Sequence, residues 1–305
     1  MNQFPHSSNF FDHAALMESL KVLEDTYPFL NVRYLTQSIL DRPIPLLELG
    51  TGKRKCLYVG THHGMEWITS ALLIQFVKEL CAAIQSQRYV GKICPVTLFE
   101  THTLYIIPML NPDGVEYQIH GVESNNPLYE RLLSMNGQSE DFSRWQANAR
   151  GVDLNHNYDA GFWEYKKTEA ENGISEGAPT RYSGASPESE PETRALCDLI
   201  RFHKDLLGIM TLHTQGEEIY FQSGGKTPKK SLPIAKKLAS LSGYKLSVAE
   251  GLASYGGLTD WCVQKMNLPA FTLECGKGEN PLPCSSLSCL YADLRQALFA
   301  FPTLL

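Results

Sequence analysis

Several features are missing from this 305-residue sequence, and each absence excludes a class of protein. No block of Lys or Arg occurs in a chain whose formal net charge is -6, which argues against nucleic acid and anionic membranes as partners. No apolar run approaches the roughly 20 residues that a membrane-spanning helix requires. Because repeats, low-complexity segments and linkers are also lacking, we expect residues 1–305 to form one domain, with 1–28 as a helical extension.

The cysteines lack the patterns of metal-binding or disulfide-rich proteins. All eight are scattered without a Cys-x-x-Cys pair, and several lie in apolar runs typical of a core. Met1 to Asp12 lack the basic and apolar regions of a signal peptide. We therefore expect reduced thiols and a cytoplasmic location, with no disulfide between the neighbouring Cys284 and Cys289.

Two kinds of apolar segment alternate along the chain. Residues 56–60, 207–213 and 270–274 have the length of buried strands, whereas Thr69 to Ile84 carries a wide apolar stripe at helical spacing. This alternation predicts an α/β sheet with helices on both faces. Pro108 to Gly114 contains two prolines and an Asp-Gly, so it is predicted to be an irregular loop. The remaining predicted strands span 31–40, 44–49, 97–109 and 218–222. The remaining predicted helices span 11–23, 128–134, 187–204, 231–241 and 288–301.

Four polar side chains lie at or just past the ends of predicted strands. They are His63, Asn111, His213 and Glu274. Because ligands of open α/β sheets bind at the C-terminal ends of strands, we expect these side chains to meet in one site.

His63, Glu66 and His213 are candidate metal ligands, since two His and one Glu form a common catalytic zinc set that leaves a position for water. Alone, the His-x-x-Glu spacing is also typical of an exposed helical pair. Glu274 is the candidate general base, although a solvated acid at a strand end has the same pattern. These donor types do not distinguish zinc from other divalent ions.

Six segments, which follow one another in the order of the family's motifs, resemble the zinc carboxypeptidase family across roughly residues 30 to 300. The resemblance implies one domain with a mixed eight-stranded sheet and helices on both faces. It also implies one Zn²⁺ per chain held by His63, Glu66 and His213, with Glu274 as general base and acid and Asn155 as a substrate contact. The six segments are 60–67, 111–114, 151–157, 212–214, 256–261 and 271–274.

Two departures from the family pattern concern positive charge. His156 replaces the arginine that grips a terminal carboxylate, and it is a weaker, pH-dependent anion partner. Gln146 follows Trp145 where the family has its oxyanion arginine. Arg150 is therefore a candidate for the missing charge, and Arg181 is a further candidate for binding substrate carboxylates.

Two more departures concern the substrate side chain. Leu252 occupies the position of the family's mobile tyrosine, and Tyr255 is the nearest phenol. Thr259 occupies the position that lines the side-chain pocket, so neither a simple basic nor an aromatic preference is indicated.

A narrower resemblance accommodates these departures. Residues 148–161 and 213–220 look like the bacterial γ-D-glutamyl-diaminopimelate peptidases, which cut cell-wall stem peptides. Members often carry LysM repeats, and this sequence has none, which suits a soluble muropeptide as the substrate. Three alternatives stay open: a carboxypeptidase of ordinary peptide C-termini, an aspartoacylase-like deacylase, and a muropeptide-binding protein without activity. The sequence does not determine an oligomeric state.

Overall fold

One sheet of eight strands organises the molecule. The computed structural model describes residues 9–249 and 255–305. The strand order is β1-β2-β4-β3-β5-β8-β6-β7, with parallel pairs β3–β4, β3–β5, β5–β8 and β6–β7 and the other pairs antiparallel. The strands are β1 (Leu30–Gln37), β2 (Pro43–Leu49), β3 (Arg54–Gly60), β4 (His102–Ile107), β5 (Leu206–His213), β6 (Glu218–Tyr220), β7 (Lys245–Leu246) and β8 (Ala270–Glu274). The predicted mixed eight-stranded sheet is confirmed.

Ten α-helices occur within the described residues. They are α1 (His13–Thr26), α2 (Ile68–Gln85), α3 (Pro95–Thr101), α4 (Pro112–His120), α5 (Tyr129–Met135), α6 (Phe162–Glu171), α7 (Pro191–Phe202), α8 (Ser231–Ser242), α9 (Leu258–Met266) and α10 (Leu287–Leu304).

The central strands are apolar on both faces because each face is covered by helices. In β3, Tyr58 packs into a core formed with α1, α2, α8 and α10. Its neighbours Leu57 and Val59 pack into a second core with α7 and α9. Successive strand side chains point to opposite faces, so the continuous apolar run in β3 is what a strand buried on both sides requires.

The segment 97–109, predicted as one strand, is instead α3 followed by β4. Pro95 occupies the first turn of α3, where its missing N–H costs nothing, and the chain becomes extended at His102. The β-branched and aromatic residues of this segment favour a strand, but Pro95 starts a helix that contains its first five residues.

The predicted irregular loop 108–114 is also wrong at its end, because α4 begins at Pro112. The Asn111 side chain accepts a hydrogen bond from the Gly114 N–H at 2.9 Å and so caps the helix. An Asn cap followed by Pro is a helix start, and here it prevails over the turn tendency of Asp-Gly. The predicted helix 187–204 likewise starts later, at Pro191.

One segment, Gly64–Gln85, reaches the length and apolar content of a membrane span, which corrects the expectation that no run approaches it. Within the fold, 78% of its most apolar window is buried. Its apolar side chains therefore form part of the protein core.

Candidate active site

The metal cluster forms where β3 and β5 end side by side. These strands pair in parallel, with Gly60 opposite Leu212, so that His63 and His213 leave the same edge of the sheet. Glu66 lies in a single helical turn, Gly64–Glu66, that leads into α2. A side chain at Gly64 would put its Cβ 2.3 Å from the carbonyl oxygen of Gly114, so glycine is required for this turn to pack on α4.

The donor atoms of this cluster are spaced as a tetrahedral metal site requires. His63 Nδ1 lies 2.9 Å from Glu66 Oε1, His213 Nδ1 lies 3.1 Å from Glu66 Oε2, and the two Nδ1 atoms are 3.3 Å apart. Ligand bonds of about 2.0–2.1 Å at tetrahedral angles would separate such atoms by about 3.3 Å. The residues therefore fit a zinc ion bound by two imidazole nitrogens and one carboxylate.

Asp153 orients His63 from the opposite side of its ring. Its Oδ1 lies 3.1 Å from His63 Nε2, and its Oδ2 accepts the Arg181 N–H at 3.0 Å. Burial lowers the pKa of His63, but the carboxylates of Glu66 and Asp153 outweigh it and raise this pKa well above its ordinary value. The surroundings thus favour positive charge, as a bound cation would provide. Asp153 is not among the site residues predicted from the sequence, because its contact with His63 joins loops 90 positions apart.

Asn111 joins the metal-binding segment to the loop that carries Gln146. Its Nδ2 donates to the carbonyl oxygens of His62, Gln146 and Ala147 at 3.0, 3.1 and 3.2 Å. The predicted convergence of strand-end residues thus includes Asn111, which contributes through these bonds rather than as a ligand.

Glu274 faces the cluster from β8. The pairing of β5 with β8 sets Glu274 opposite His213, and its side chain lines the neighbouring cavity. Burial, followed by the carboxylates of Glu66 and Glu218, raises the pKa of Glu274 to about 8. A carboxyl group with a pKa near neutrality can both accept and return a proton, as a general base and acid must.

Most of the predicted substrate contacts line a single cavity of about 250 Å³ beside the cluster. They share polar side chains that come from loops and helix starts on several sides. The predicted site residues in this lining are His63, Gln146, Asn155, His156, Arg181, His213, Thr259 and Glu274.

His156 is placed as an uncharged imidazole rather than a substitute for arginine. Its ring is 8% exposed and stacks on Tyr165, with centroids 4.0 Å apart and planes 6° from parallel. Its Nδ1 lies 2.9 Å from the Tyr255 carbonyl oxygen, to which it donates in one tautomer. Burial lowers the pKa of His156, although Asp153 raises it in part.

Asn155, Gln146 and Thr259 have side chains partly engaged by the protein. Asn155 Oδ1 accepts the Leu258 N–H at 3.2 Å, and Gln146 Oε1 accepts a hydrogen bond from the Thr180 hydroxyl. Asn155 Nδ2 and Gln146 Nε2 have no hydrogen-bond partner among the described residues. Thr259 Oγ1 lies 2.7 Å from the Thr272 hydroxyl.

Arg150 and Tyr255 are absent from the described lining of this cavity. Arg150 instead donates through Nε to Glu190 at 3.0 Å, which ties it to the start of α7. Tyr255 is 47% exposed and lies against Gly161, where an added Cβ would be 2.4 Å from its ring. Leu252 lies outside the described residues. The catalytic role of Arg150 stays a prediction, now without a contact in the cavity.

Other residues complete the lining that sequence reasoning did not assign to the site. Asp260 lines the cavity, and its carboxyl group accepts a hydrogen bond from Ser223 Oγ at 2.5 Å. The position of Asp260 directly after Thr259 was the available signal. The others are Asp153, Thr180, Tyr220, Gln222, Ala249, Gly257 and Thr272.

Behind the cavity, a buried acid supports the loop 148–152. Asn148 Oδ1 accepts the N–H groups of Arg150 and Val152, while its Nδ2 donates to Glu190 at 2.8 Å and lies 3.5 Å from Glu192. Burial, followed by the charge of Glu190, raises the pKa of Glu192 to about 8. The folded protein therefore holds a proton on Glu192 that the unfolded chain releases at lower pH.

Stability should consequently fall as the pH rises from about 4.5 to about 8, by up to about 1.4 kcal/mol per pH unit for this group alone. Glu192→Gln removes the titrating group, so its stability relative to the wild type should improve steadily across this window. Urea unfolding of both proteins at pH 5.5 and 7.5 measures the difference. A difference that is the same at both pH values would contradict the assignment.

The fold and the cluster define a zinc peptidase of one family. Residues 16–293 match the zinc carboxypeptidase family, and the chain belongs to it. It is therefore a metallopeptidase of the class that hydrolyses peptide bonds, and zinc is its cofactor. The predictions of family, fold and cofactor are confirmed, and the family match favours a peptidase over the aspartoacylase-like alternative.

Individual relatives add detail. The chain is 34% identical over 283 residues to γ-D-glutamyl-L-diamino acid endopeptidase 1 of Lysinibacillus sphaericus, covering 93% of this chain and 70% of that one. It is 28% identical over 227 residues to carboxypeptidase B of Bos taurus, covering 70% of this chain and 49% of the relative. Among solved structures, carboxypeptidase A from Helicoverpa armigera superposes with a TM-score of 0.72 at 17% identity, covering 96% and 73% of the two chains.

Proposed function

We propose that this protein hydrolyses the amide bond between γ-D-glutamate and meso-diaminopimelate in stem peptides of the bacterial cell wall. The observation that carries the proposal is the 34% identity, over 93% of the chain, to a γ-D-glutamyl-L-diamino acid endopeptidase. The chemistry of the cavity supports the same substrate, because both charges of a diamino acid find an opposite charge in its lining.

Arg181 is the cationic side of this complementarity. It is exposed, it lines the cavity, and none of the described residues forms an ion pair with its guanidinium. Its backbone is fixed, because its N–H binds Asp153 and its carbonyl oxygen accepts the Tyr165 hydroxyl at 3.1 Å. A guanidinium on a fixed backbone is suited to a substrate carboxylate. Asp260 offers the complementary negative charge for an ammonium group.

The roles of the remaining residues follow from their placement. His63, Glu66 and His213 would hold the zinc ion, which when bound supplies Lewis acidity that activates water and polarises a carbonyl group. Glu274 takes the proton of the attacking water and passes it to the leaving amine. We infer that Gln146 Nε2 donates to the developing oxyanion, since Gln146 lines the cavity and Arg150 does not. Asn155 and His156 contact polar groups of the substrate, and Thr259 lines the space for its side chain.

The competing function is the removal of ordinary C-terminal residues, and the similarity to carboxypeptidase B supports it. Initial rates on L-Ala-γ-D-Glu-meso-diaminopimelate and on blocked dipeptides with free C-termini separate the two. We expect hydrolysis of the first substrate and at most slow hydrolysis of the dipeptides, because His156 stands where a carboxylate-gripping arginine would be needed. Hydrolysis of the dipeptides alone would overturn the proposal.

The two arginines should respond differently to substitution. Arg181→Gln should raise the KM for L-Ala-γ-D-Glu-meso-diaminopimelate about 10–100-fold, since a hydrogen bond to a charged group contributes about 1.5–3 kcal/mol. Arg150→Gln, the matched control, should leave KM within about threefold because its guanidinium binds Glu190. Steady-state kinetics of both variants give the answer. The reverse ranking would return the substrate-binding role to Arg150.

Location and domain organisation are part of the proposal. All eight cysteines are free thiols in the structure, Cys284 and Cys289 included, which suits a reducing compartment such as the cytoplasm. Residues 1–305 would then act as one catalytic domain on soluble muropeptides. In agreement, Leu16, Leu20 and Leu23 of α1 pack into the main core, so α1 is continuous with the catalytic fold.

A further inference from the structure

A second buried imidazole lies directly against the metal cluster. His62, the residue directly before the ligand His63, is fully buried. Its ring stacks on His213, with centroids 5.1 Å apart and planes 25° from parallel. The cluster thus contains three imidazoles, and two of them offer their Nδ1 atoms as ligands.

The two ligand histidines differ in how their second nitrogen is held. His63 Nε2 faces the Asp153 carboxylate at 3.1 Å. His213 Nε2 is buried and has no hydrogen-bond partner among the described residues. A ligand histidine usually donates its second N–H to a carboxylate, a carbonyl or water, which fixes the ring orientation. A different contact must therefore orient the His213 ring. Two rings lie against it: the His63 ring meets it edge-on, with planes 61° apart, whereas the His62 ring stacks on its face.

His62 is itself well fixed, as a positioning group must be. Its Nε2 lies 3.0 Å from the Tyr158 hydroxyl, and its Nδ1 lies 3.4 Å from Thr211 Oγ1. Its carbonyl oxygen accepts the Asn111 side-chain amide at 3.0 Å. Tyr158 is fully buried and donates its N–H to the Gly256 carbonyl oxygen at 3.0 Å. The orientation of His62 is thereby set from β5, α4 and the loop at 158.

We propose that His62 is a positioning residue that holds the His213 ring by stacking and thereby sets the affinity of the site for zinc. It contributes a flat, buried ring face rather than a ligand atom. The proposal rests on the metal site of the proposed function but is independent of which amide bond is cut.

The test measures zinc affinity by competition with a chromophoric chelator in the absence of substrate. His62→Leu and His62→Gln remove the ring, and we expect each to weaken zinc binding about 10–100-fold, the usual cost of losing a partner that orients a ligand. His62→Phe retains a ring, so we expect its affinity to stay within about threefold of the wild type. His62→Gln also serves if His62→Leu does not fold, and the near-ultraviolet circular dichroism of each metal-free variant establishes folding.

Tyr158→Phe is the control for the hydrogen bond alone, and we expect it to leave zinc affinity within about threefold. Equal weakening by His62→Phe and His62→Leu, or full affinity in His62→Gln, would overturn the proposal. Because no substrate is present, a failure of the proposed peptide specificity leaves these results unchanged, and a failure here leaves that specificity untouched.

Discussion

Glu274→Gln should lower kcat by about 10²–10⁴-fold while KM changes by no more than a few fold. This is the usual contribution of a general acid–base group, and the amide cannot accept the proton of the attacking water. The substitution preserves size, and the burial that raises the pKa of Glu274 to about 8 favours an uncharged group at this position, so we expect the variant to fold. Steady-state rates and zinc content of the variant are the measurements, and zinc content should stay near that of the wild type.

Glu217→Gln is the matched control for this prediction. Glu217 donates its N–H to the Glu274 carbonyl oxygen at 2.8 Å, but its carboxylate pairs with Lys277. Its substitution removes an equal charge from a neighbouring position without touching the cavity, so kcat should stay within a few fold. Activity of Glu274→Gln within a few fold of the wild type would show that another group is the base.

His213→Ala should abolish stoichiometric zinc binding and reduce activity in parallel. The loss of affinity should exceed about 100-fold, because loss of an outer partner alone costs about 10–100-fold. Removing zinc from the wild type with a chelator should give the same loss of activity, and added Zn²⁺ should restore the wild type only. Metal analysis after dialysis, together with rates before and after zinc is added, tests both statements.

His203→Gln provides the comparison, since this histidine precedes β5 at the far end of the strand and lies 3.5 Å from Lys55 Nζ. It should retain wild-type zinc content. Full zinc occupancy in His213→Ala would contradict the assignment of the third ligand.

The sheet could be predicted because the composition of its central strands is distinctive. Strands β3, β5 and β8 are short apolar runs buried on both faces, and such runs have few alternatives. The prediction of one strand over 97–109 was wrong because α3 and β4 are both apolar, so composition does not separate them. Only Pro95 indicates that a helix starts there. The helices α6 and α9 were not predicted, since their apolar residues follow glycine-rich loops that conceal where each helix begins.

The metal cluster could be anticipated because strand order carries its ligands to one edge. His63 and His213 are 150 positions apart, and the parallel pairing of β3 with β5 is enough to join them. The surroundings of the cavity depend instead on loop conformation. Nothing in the sequence distinguishes Arg150 from Arg181, whereas in the fold the first pairs with Glu190 and the second enters the cavity.

The same limit applies to residues whose roles depend on contacts across the fold. Asp153 and His62 look like ordinary loop residues in the sequence. Only the folded chain sets Asp153 against His63 Nε2 and stacks His62 on His213. Spacing identifies ligands, but the groups that orient them become visible only after the loops have packed.

Mass spectrometry of a muropeptide digest by the zinc-loaded enzyme would show which amide bond the protein cuts. The masses of the fragments identify the broken bond. We expect one fragment that ends in D-glutamate and another that begins with meso-diaminopimelate, and we expect Glu274→Gln to produce neither at a comparable rate. Fragments that have lost only a C-terminal residue, with the γ-D-glutamyl–diaminopimelate bond intact, would contradict the proposed function.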